Sequence, residues 1–392
     1  MWEPLIQGCV AKNCHPLGCQ RAVAAQIAYV QQQPRFAGPK RVLILGASSG
    51  FGLAARIVLA VGGGAETLGL SFERAPSAQG FGSAGWYNQH HFQQWAEAHG
   101  VPATSLLGDA FAPAMQQQVV SWIQQQWGQV DLLIYSLASG VRIMAGGERY
   151  RSVLKSIGNP VTGWGLDLGA EQLIQQEMPA ATAGEIVATE RVMGGDDWQQ
   201  WVRQLAEAGC LAPGFRTLAF SYEGPAITHS WYRDGTLGLA KQHLQCSADM
   251  LRSGLGEQGD ARVVLCKALV TKASLFIPFL PVYLMVLMKV MKAQGLHEGC
   301  IEQMSRLFVQ QLYGEQAVKV DNQGRWRLDE RELDPEVQTE LLNRLGSLNG
   351  DNFREIGDYA GLRQEFLRLN GFDWPEIDYS APLSLELTGV KA

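Results

Sequence analysis

The chain has no internal repeat, no low-complexity block and no proline- or glycine-rich linker; its 44 glycines and 16 prolines are spread along 392 residues. That excludes a solenoid or a string of flexibly joined modules. Excess positive charge is absent as well. The 32 Lys and Arg are outnumbered by 38 Asp and Glu, giving a net charge of −6 with 18% charged residues. Without a basic stripe, nucleic acid is excluded as a partner. No apolar run reaches the ~20 residues that span a bilayer. Ala273 to Met288 is rich in Leu, Ile, Phe, Val and Met but contains Pro278 and Pro281, so we expect a buried or ligand-covering segment and no integral membrane association. The seven cysteines include no CxxC pair. Cys9, Cys14 and Cys19, with His15 beside them, lack the paired form of common zinc sites. We expect no metal. Buried thiols in a reducing, cytoplasmic compartment fit this cysteine usage and the lack of a signal-like start.

The length exceeds the ~250 to 300 residues at which simple cores stop growing. With no linker in sight, one elaborated domain is expected: an N-terminal extension over 1–39, a nucleotide-binding and catalytic core over 40–300, and a C-terminal helical extension over 301–392.

The core opens on Arg41 to Leu45 (RVLIL), an apolar run of the kind buried on both faces of a parallel sheet. It leads into Gly46-Ala47-Ser48-Ser49-Gly50-Phe51-Gly52, followed by Leu53, Ala54, Ile57, Val58 and Ala60 at helical spacing. Strand, glycine turn and helix form the context in which backbone amides at a helix N-terminus stabilise a pyrophosphate. A second strand-like run, Thr67 to Phe72, ends at Glu73. An acidic side chain there accepts hydrogen bonds from the ribose hydroxyls and repels a 2′-phosphate. NADH is therefore expected over NADPH, although Arg74 beside it leaves room for some NADPH use. Two further strand ends complete the edge: Ser105 to Leu107, running into Asp109 and Ala110, and Val130 to Tyr135, running into Leu137 and Ala138. In an open sheet the ligand crevice lies at such carboxyl ends, with Asp109 toward the adenine and Leu137-Ala138 toward the nicotinamide. The fold expected is α/β, a Rossmann-type doubly wound parallel sheet.

Tyr232 and Lys241 carry the reaction chemistry. A tyrosine hydroxyl of ordinary pKa ~10 is a poor acid at neutral pH, and a nearby ammonium stabilises its phenolate and eases proton donation. Nine positions on one regular helix would put the two side chains on roughly opposite faces. Tyr232 is thus expected before the helix, with Asp234 or Thr236 as N-cap and a helical run from Leu239 to Leu251.

With these residues in place the chain resembles the trans-2-enoyl-CoA reductases, also described as V-type enoyl-acyl-carrier-protein reductases, enlarged relatives of the short-chain dehydrogenases. The likeness covers GASSGFG (46–52), AGWYN (84–88), GDAF (108–111), YSLAS (135–139), VMGGDDWQQW (192–201), GPAITHSWYRDGTLGLAK (224–241), HEGCIEQ (297–303) and REIGDYAG (354–361). Eight residues between tyrosine and lysine distinguish this family from ordinary short-chain dehydrogenases, which have three. The resemblance implies that Tyr232 is the proton donor, Lys241 a catalytic cofactor contact and Tyr222 the substrate contact. It further implies that Gly46 to Phe51, Phe72, Glu73, Asp109, Ala110, Leu137, Ala138 and Val270, Thr271 and Lys272 line an NAD site. The implied reaction is NADH-dependent reduction of the C2=C3 bond of an enoyl-CoA or enoyl-acyl-carrier-protein thioester in fatty acid synthesis, by a monomer. Family members carry glutamine at the position of Lys272, tyrosine at Phe51 and an aliphatic residue at Trp231, and the loop after Ser139 is short. Two other readings of the residues stay open: a ketone or 3-ketoacyl reductase, and a catalytically silent NADH-binding regulator. The acidic surface would also require a local cluster, such as Arg233, Lys267 and Lys272, to receive an anionic substrate handle.

Overall fold

Eight strands form one sheet, described here from a computed structural model covering residues 2–77 and 80–383. They are β1 (Arg41–Leu45), β2 (Glu66–Ser71), β3 (Ala103–Leu107), β4 (Val130–Tyr135), β5 (Leu211–Ser221), β6 (Gly259–Leu265), β7 (Lys319–Val320) and β8 (Trp326–Arg327). Their spatial order is 7-8-6-5-4-1-2-3. All are parallel except β7, which pairs antiparallel with β8. The run 3-2-1-4-5-6 is the doubly wound dinucleotide-binding order, with its switch point between β1 and β4. The apolar runs explain why these strands are central: Val42 to Leu45 and Leu132 to Ile134 are 0% exposed, as burial on both faces requires.

Registers bring the strand exits level. Leu45 pairs with both Leu70 and Tyr135, and the hydrogen bonds continue past the strand ends. Gly46 N–H donates to the Leu70 carbonyl, Ser136 N–H to Leu45, Gly108 N–H to Ser71 and Cys266 N–H to Ser221. The glycine turn, Glu73, Asp109, Leu137 and Tyr222 therefore leave along one edge. Strand β6 stops at Leu265; the chain then leaves the sheet and the Ala268 amide donates to the Glu332 carboxylate at 2.6 Å.

Helix α1 (Pro16–Gln31) opens with proline, which needs no amide partner in the first turn, and His15 caps it by accepting from Gly18 N–H. Helix α2 (Gly50–Ile57) begins inside the glycine motif, at Gly50 with φ +56°, and continues as a π-helical turn to Gly62. Arg56 of α2 is wholly buried and bonds Thr67 Oγ1, Ser105 Oγ and the Thr104 carbonyl, tying β2 to β3. Burial lowers its guanidinium to about 9. Between β4 and β5 two antiparallel hairpins (141–151 and 161–178) and two helices (183–193 and 196–207) enlarge the core.

Helix α3 (Thr236–Leu255) is capped by Gly235 without a side-chain bond, so neither Asp234 nor Thr236 is the N-cap. Thr236 is occupied elsewhere: its hydroxyl donates to the Val153 carbonyl and accepts from Lys155 N–H, anchoring the helix start to the insertion. The Ala273 to Met288 segment becomes a short 3-10 turn (274–276) and helix α4 (Leu280–Ala293). Leu280 to Met288 are all buried, packed against the helices at 335–347 and 359–368. No helix among the described residues is long and apolar enough to cross a membrane.

The N- and C-terminal segments meet at Gly18, where an added Cβ would lie 1.6 Å from the Gly371 carbonyl oxygen. Backbone cannot yield as a side-chain tip does. Gly18→Ala should cost about 2 to 4 kcal/mol of stability, seen as a lower urea midpoint in circular dichroism; an unchanged midpoint would contradict this packing.

Candidate functional site

Sterics build the cofactor edge first. A Cβ on Gly46, whose φ is +86°, would lie 2.2 Å from the Ser136 carbonyl oxygen, and one on Gly52 would lie 2.0 Å from the Gly46 carbonyl oxygen. The turn therefore closes only with glycine at both positions. Ser49 caps α2 with no side-chain bond, so the first-turn amides stay open to an anion. Ala47 is fully buried behind the turn. Ser48 Oγ donates to Glu73 Oε1 at 2.7 Å, and Asn88 Nδ2 donates to the Ser48 carbonyl at 3.0 Å. Glu73 also accepts from Ser83 Oγ, so its carboxylate is held against the turn. Phe72 beside it is 81% exposed, an unusual state for a large apolar ring and one suited to a flat aromatic ligand face.

The other predicted residues fall along the same edge. Asp109 Oδ1 accepts from Phe111 N–H at 2.9 Å, shaping the exit of β3, and Ala110 is buried behind it. Leu137 is half-buried and Ala138 exposed after β4. Thr271 packs over the turn: its methyl lies 3.7 Å from where a Gly50 Cβ would stand, and reciprocal bonds with Ser274 fix its loop. Val270 is buried and Lys272 half-buried in that loop. Phe51 leans on Phe220, ring centres 5.9 Å apart.

Tyr232 sits in the turn before α3, as the spacing predicts, with its N–H donating to Thr228 and its carbonyl accepting from Gly235 and Gly238. It is 3% exposed, and its hydroxyl bonds none of the described residues. Burial pushes that hydroxyl above its ordinary value and no neighbouring charge offsets the effect. Tyr232 therefore holds its proton at neutral pH. Lys241, half-buried one and a half turns into α3, makes no ion pair among the described residues. Burial lowers its ammonium to about 8.

An aromatic file borders the tyrosine. Tyr222 and Tyr232 meet edge to face at 4.9 Å, Trp231 stands 6.4 Å from Tyr232, and Phe279 stands 6.0 Å from Trp231. Phe279 holds φ +66°, a strained conformation for a bulky residue. Tyr222 OH donates to Glu332 Oε1 at 2.8 Å, and Tyr283 OH donates to the same oxygen at 2.6 Å. Burial raises the Glu332 carboxyl, with the Tyr283 and Ala268 hydrogen bonds and the Lys267 charge drawing it back.

Glu332, Tyr283 and Phe279 were not foreseen from sequence. Glu332 lies 110 positions from Tyr222, in an acidic stretch with no motif to mark it. The basic cluster does not form as expected: Lys267 is buried, its ammonium donating to the Ala268 carbonyl, and Arg233 is paired with Asp234. Among the described residues no three His, Cys, Asp or Glu side chains are placed to hold a metal; the Cys14 thiol donates to the Gly82 carbonyl.

A doubly wound sheet, a glycine-only turn, an acid at the second strand end and a protonated tyrosine ahead of a lysine define a nicotinamide-dependent reductase. Comparison with known proteins makes this specific. The family described as the trans-2-enoyl-CoA reductase catalytic region matches residues 80–313, and its NAD(P)H binding domain matches residues 1–78. An enoyl-[acyl-carrier-protein] reductase [NADH] 2 of Photobacterium profundum is 49% identical over 98% of each chain, and an enoyl-[acyl-carrier-protein] reductase [NADH] of Burkholderia pseudomallei is 46% identical over 97% of this chain and 96% of its own. The crystal structure of Clostridium acetobutylicum trans-2-enoyl-CoA reductase with NADH superposes with a TM-score of 0.96 at 39% identity, covering 99% of this chain and 98% of that one. That of Treponema denticola with NAD gives 0.93 at 40% identity over 98% of each. The chain belongs to the trans-2-enoyl-CoA reductase family.

A third family description, an enoyl reductase FAD binding domain, matches residues 320–383, but the residues there do not fit a flavin dinucleotide. Arg325, Arg327, Arg331, Arg344, Arg354 and Arg363 are all in ion pairs, and Arg368 lies on the Trp374 ring. The helices at 335–347 and 359–368 already have carboxylates, Asp334 and Asp358, on their N-terminal amides. Strand β8 leads into Leu328-Asp329, not into a glycine turn. Among the described residues of that segment no arginine is left free for a pyrophosphate, and its two longer helices have their N-terminal amides already taken.

A carboxylate held where Glu73 is held repels a 2′-phosphate by charge. Glu73→Ala should raise the ratio of kcat/KM for NADPH to that for NADH about tenfold, a change of about 1.4 kcal/mol; initial rates with each cofactor measure it, and an unmoved ratio would refute this role.

Proposed function

We propose that the chain reduces the C2=C3 double bond of trans-2-enoyl thioesters in fatty acid synthesis with Tyr232 as proton donor and Lys241, Glu73, the 46–51 turn, Phe72, Asp109, Ala110, Leu137, Ala138 and Val270 to Lys272 holding NADH. The observation that carries this reading is the Tyr232 hydroxyl: buried, protonated and without a partner among the described residues, beside the cofactor edge. NADH, when bound, supplies the hydride to the β-carbon. Conjugation moves the added electron pair onto the thioester oxygen, where a tyrosine O–H stabilises the developing enolate. Tyr232 then delivers the proton to the α-carbon. Tyr222 is a substrate contact but not a competing acid, because its proton is given to Glu332. Trp231 and Phe279 form an apolar wall for the acyl chain. Lys241 holds ribose hydroxyls through an ammonium that pairs with no carboxylate among the described residues.

The proposal extends to either coenzyme A or a carrier protein as handle, to a monomer and to a cytoplasmic location. It also keeps one domain with segments 1–39, 40–300 and 301–392, of which residues 1, 78–79 and 384–392 lie outside the described residues. Its support is that β8, from the last segment, pairs with β6 of the core in one sheet.

Tyr232→Phe should lower kcat for crotonyl-CoA reduction by about 10²- to 10⁴-fold, with the NADH Kd within about twofold. NADH absorbance and fluorescence titration read the two. An unchanged kcat would overturn the assignment. Lys241 is charged below its value of about 8 and neutral above it. NADH affinity should therefore fall as pH rises through about 8, and Lys241→Arg, always charged, should flatten that limb. A limb unmoved by Lys241→Arg would assign it to another group.

A further inference from the structure

Glu332 is fully buried, and its carboxylate is surrounded by donors from three separate elements. Oε1 accepts the hydroxyls of Tyr222, just past β5, and Tyr283, on α4; Oε2 accepts the Ala268 amide from the loop after β6. The Glu332 carbonyl is held in turn by Gln338 Nε2 at 2.6 Å. Burying a carboxylate costs several kcal/mol that an apolar residue of the same size would not incur. What the carboxylate supplies is direction: a carboxylate acceptor fixes where a tyrosine proton points.

We infer that Glu332 is a positioning residue for enoyl reduction, which holds the Tyr222 hydroxyl from behind, sets the Tyr222 ring edge-on to Tyr232 and leaves Tyr232 as the sole proton donor at the thioester. The inference rests on the reading of Tyr222 as substrate contact. It also gives residues 320–383 a task that needs no flavin: they carry the buried acid that orients the substrate tyrosine. Tyr283 shares the same oxygen, so α4, which carries Phe279 at its start, is fixed relative to Tyr222 by one carboxylate.

A double-mutant cycle tests it on the full chain with crotonyl-CoA and NADH. Glu332→Gln should lower kcat about tenfold while the NADH Kd stays within about twofold. In a Tyr222→Phe background the same substitution should cost less than about twofold, because the hydroxyl it acts through is gone; a merely structural role would cost the same in both backgrounds. An equal cost in the two backgrounds, or an unchanged kcat for Glu332→Gln beside an impaired Tyr222→Phe, overturns the role of Glu332 alone. Unchanged kcat and KM in Tyr222→Phe overturn the substrate-contact reading and this inference with it. If Glu332→Gln does not fold by circular dichroism, Glu332→Asp, which keeps the charge but withdraws it by one methylene, enters the same cycle with the same outcomes.

Discussion

Backbone passes backbone at the carboxyl end of the sheet with no room for a side chain, and the rest of the site depends on that contact. Gly46 lies against the carbonyl leaving β4, and Gly52 lies against the Gly46 carbonyl. These approaches draw the start of α2 down onto the switch point between β1 and β4 and point its unbonded first-turn amides at the crevice. Ser48, Glu73 and Ser83 then lock the turn to the end of β2 through hydroxyl-to-carboxylate bonds. Thr271 closes over Gly50 from the opposite side of the sheet order. A single added methyl at either close contact would separate the strand exits that every other group relies on.

The distribution of protons across the aromatic file follows from burial. Tyr222, Tyr232 and Tyr283 are all pushed up by desolvation and all remain protonated. What separates them is the acceptor. Two give their protons to Glu332, and Tyr232 keeps its own available. The two neighbouring tyrosines thus differ in acceptor, because the carboxylate touches only one of them. Lys241 is shifted the other way by the same cause, since burial disfavours a charge of either sign.

Much of this was legible in the sequence. The continuous apolar runs of β1 and β4 specify strands buried on both faces, the glycine spacing specifies a turn ahead of a helix, and the nine-position separation of Tyr232 and Lys241 excludes a single helical face. The bounds of β1 and β4 agree with those readings to the residue. Less legible was the cap of α3, where Thr236 is taken by the 153–155 backbone. Lys267 illustrates the same limit: a lysine in sequence reads as surface charge, and only packing against the C-terminal segment buries it.

The sequence by itself determined the local chemistry: which runs are strands, where only glycine fits, which tyrosine precedes its lysine helix, and which acid stands at the end of the second strand. Each of these is set by neighbours along the chain or by a period of two or 3.6 residues. The tertiary structure alone decided how Tyr222 and Tyr232 differ in hydrogen bonding, that Glu332 of the C-terminal segment meets Tyr222 and Tyr283, and that burial raises the Tyr232 hydroxyl. The physical reason is that desolvation and hydrogen-bond direction depend on what lies across space, and the acid facing Tyr222 is 110 positions away along the chain.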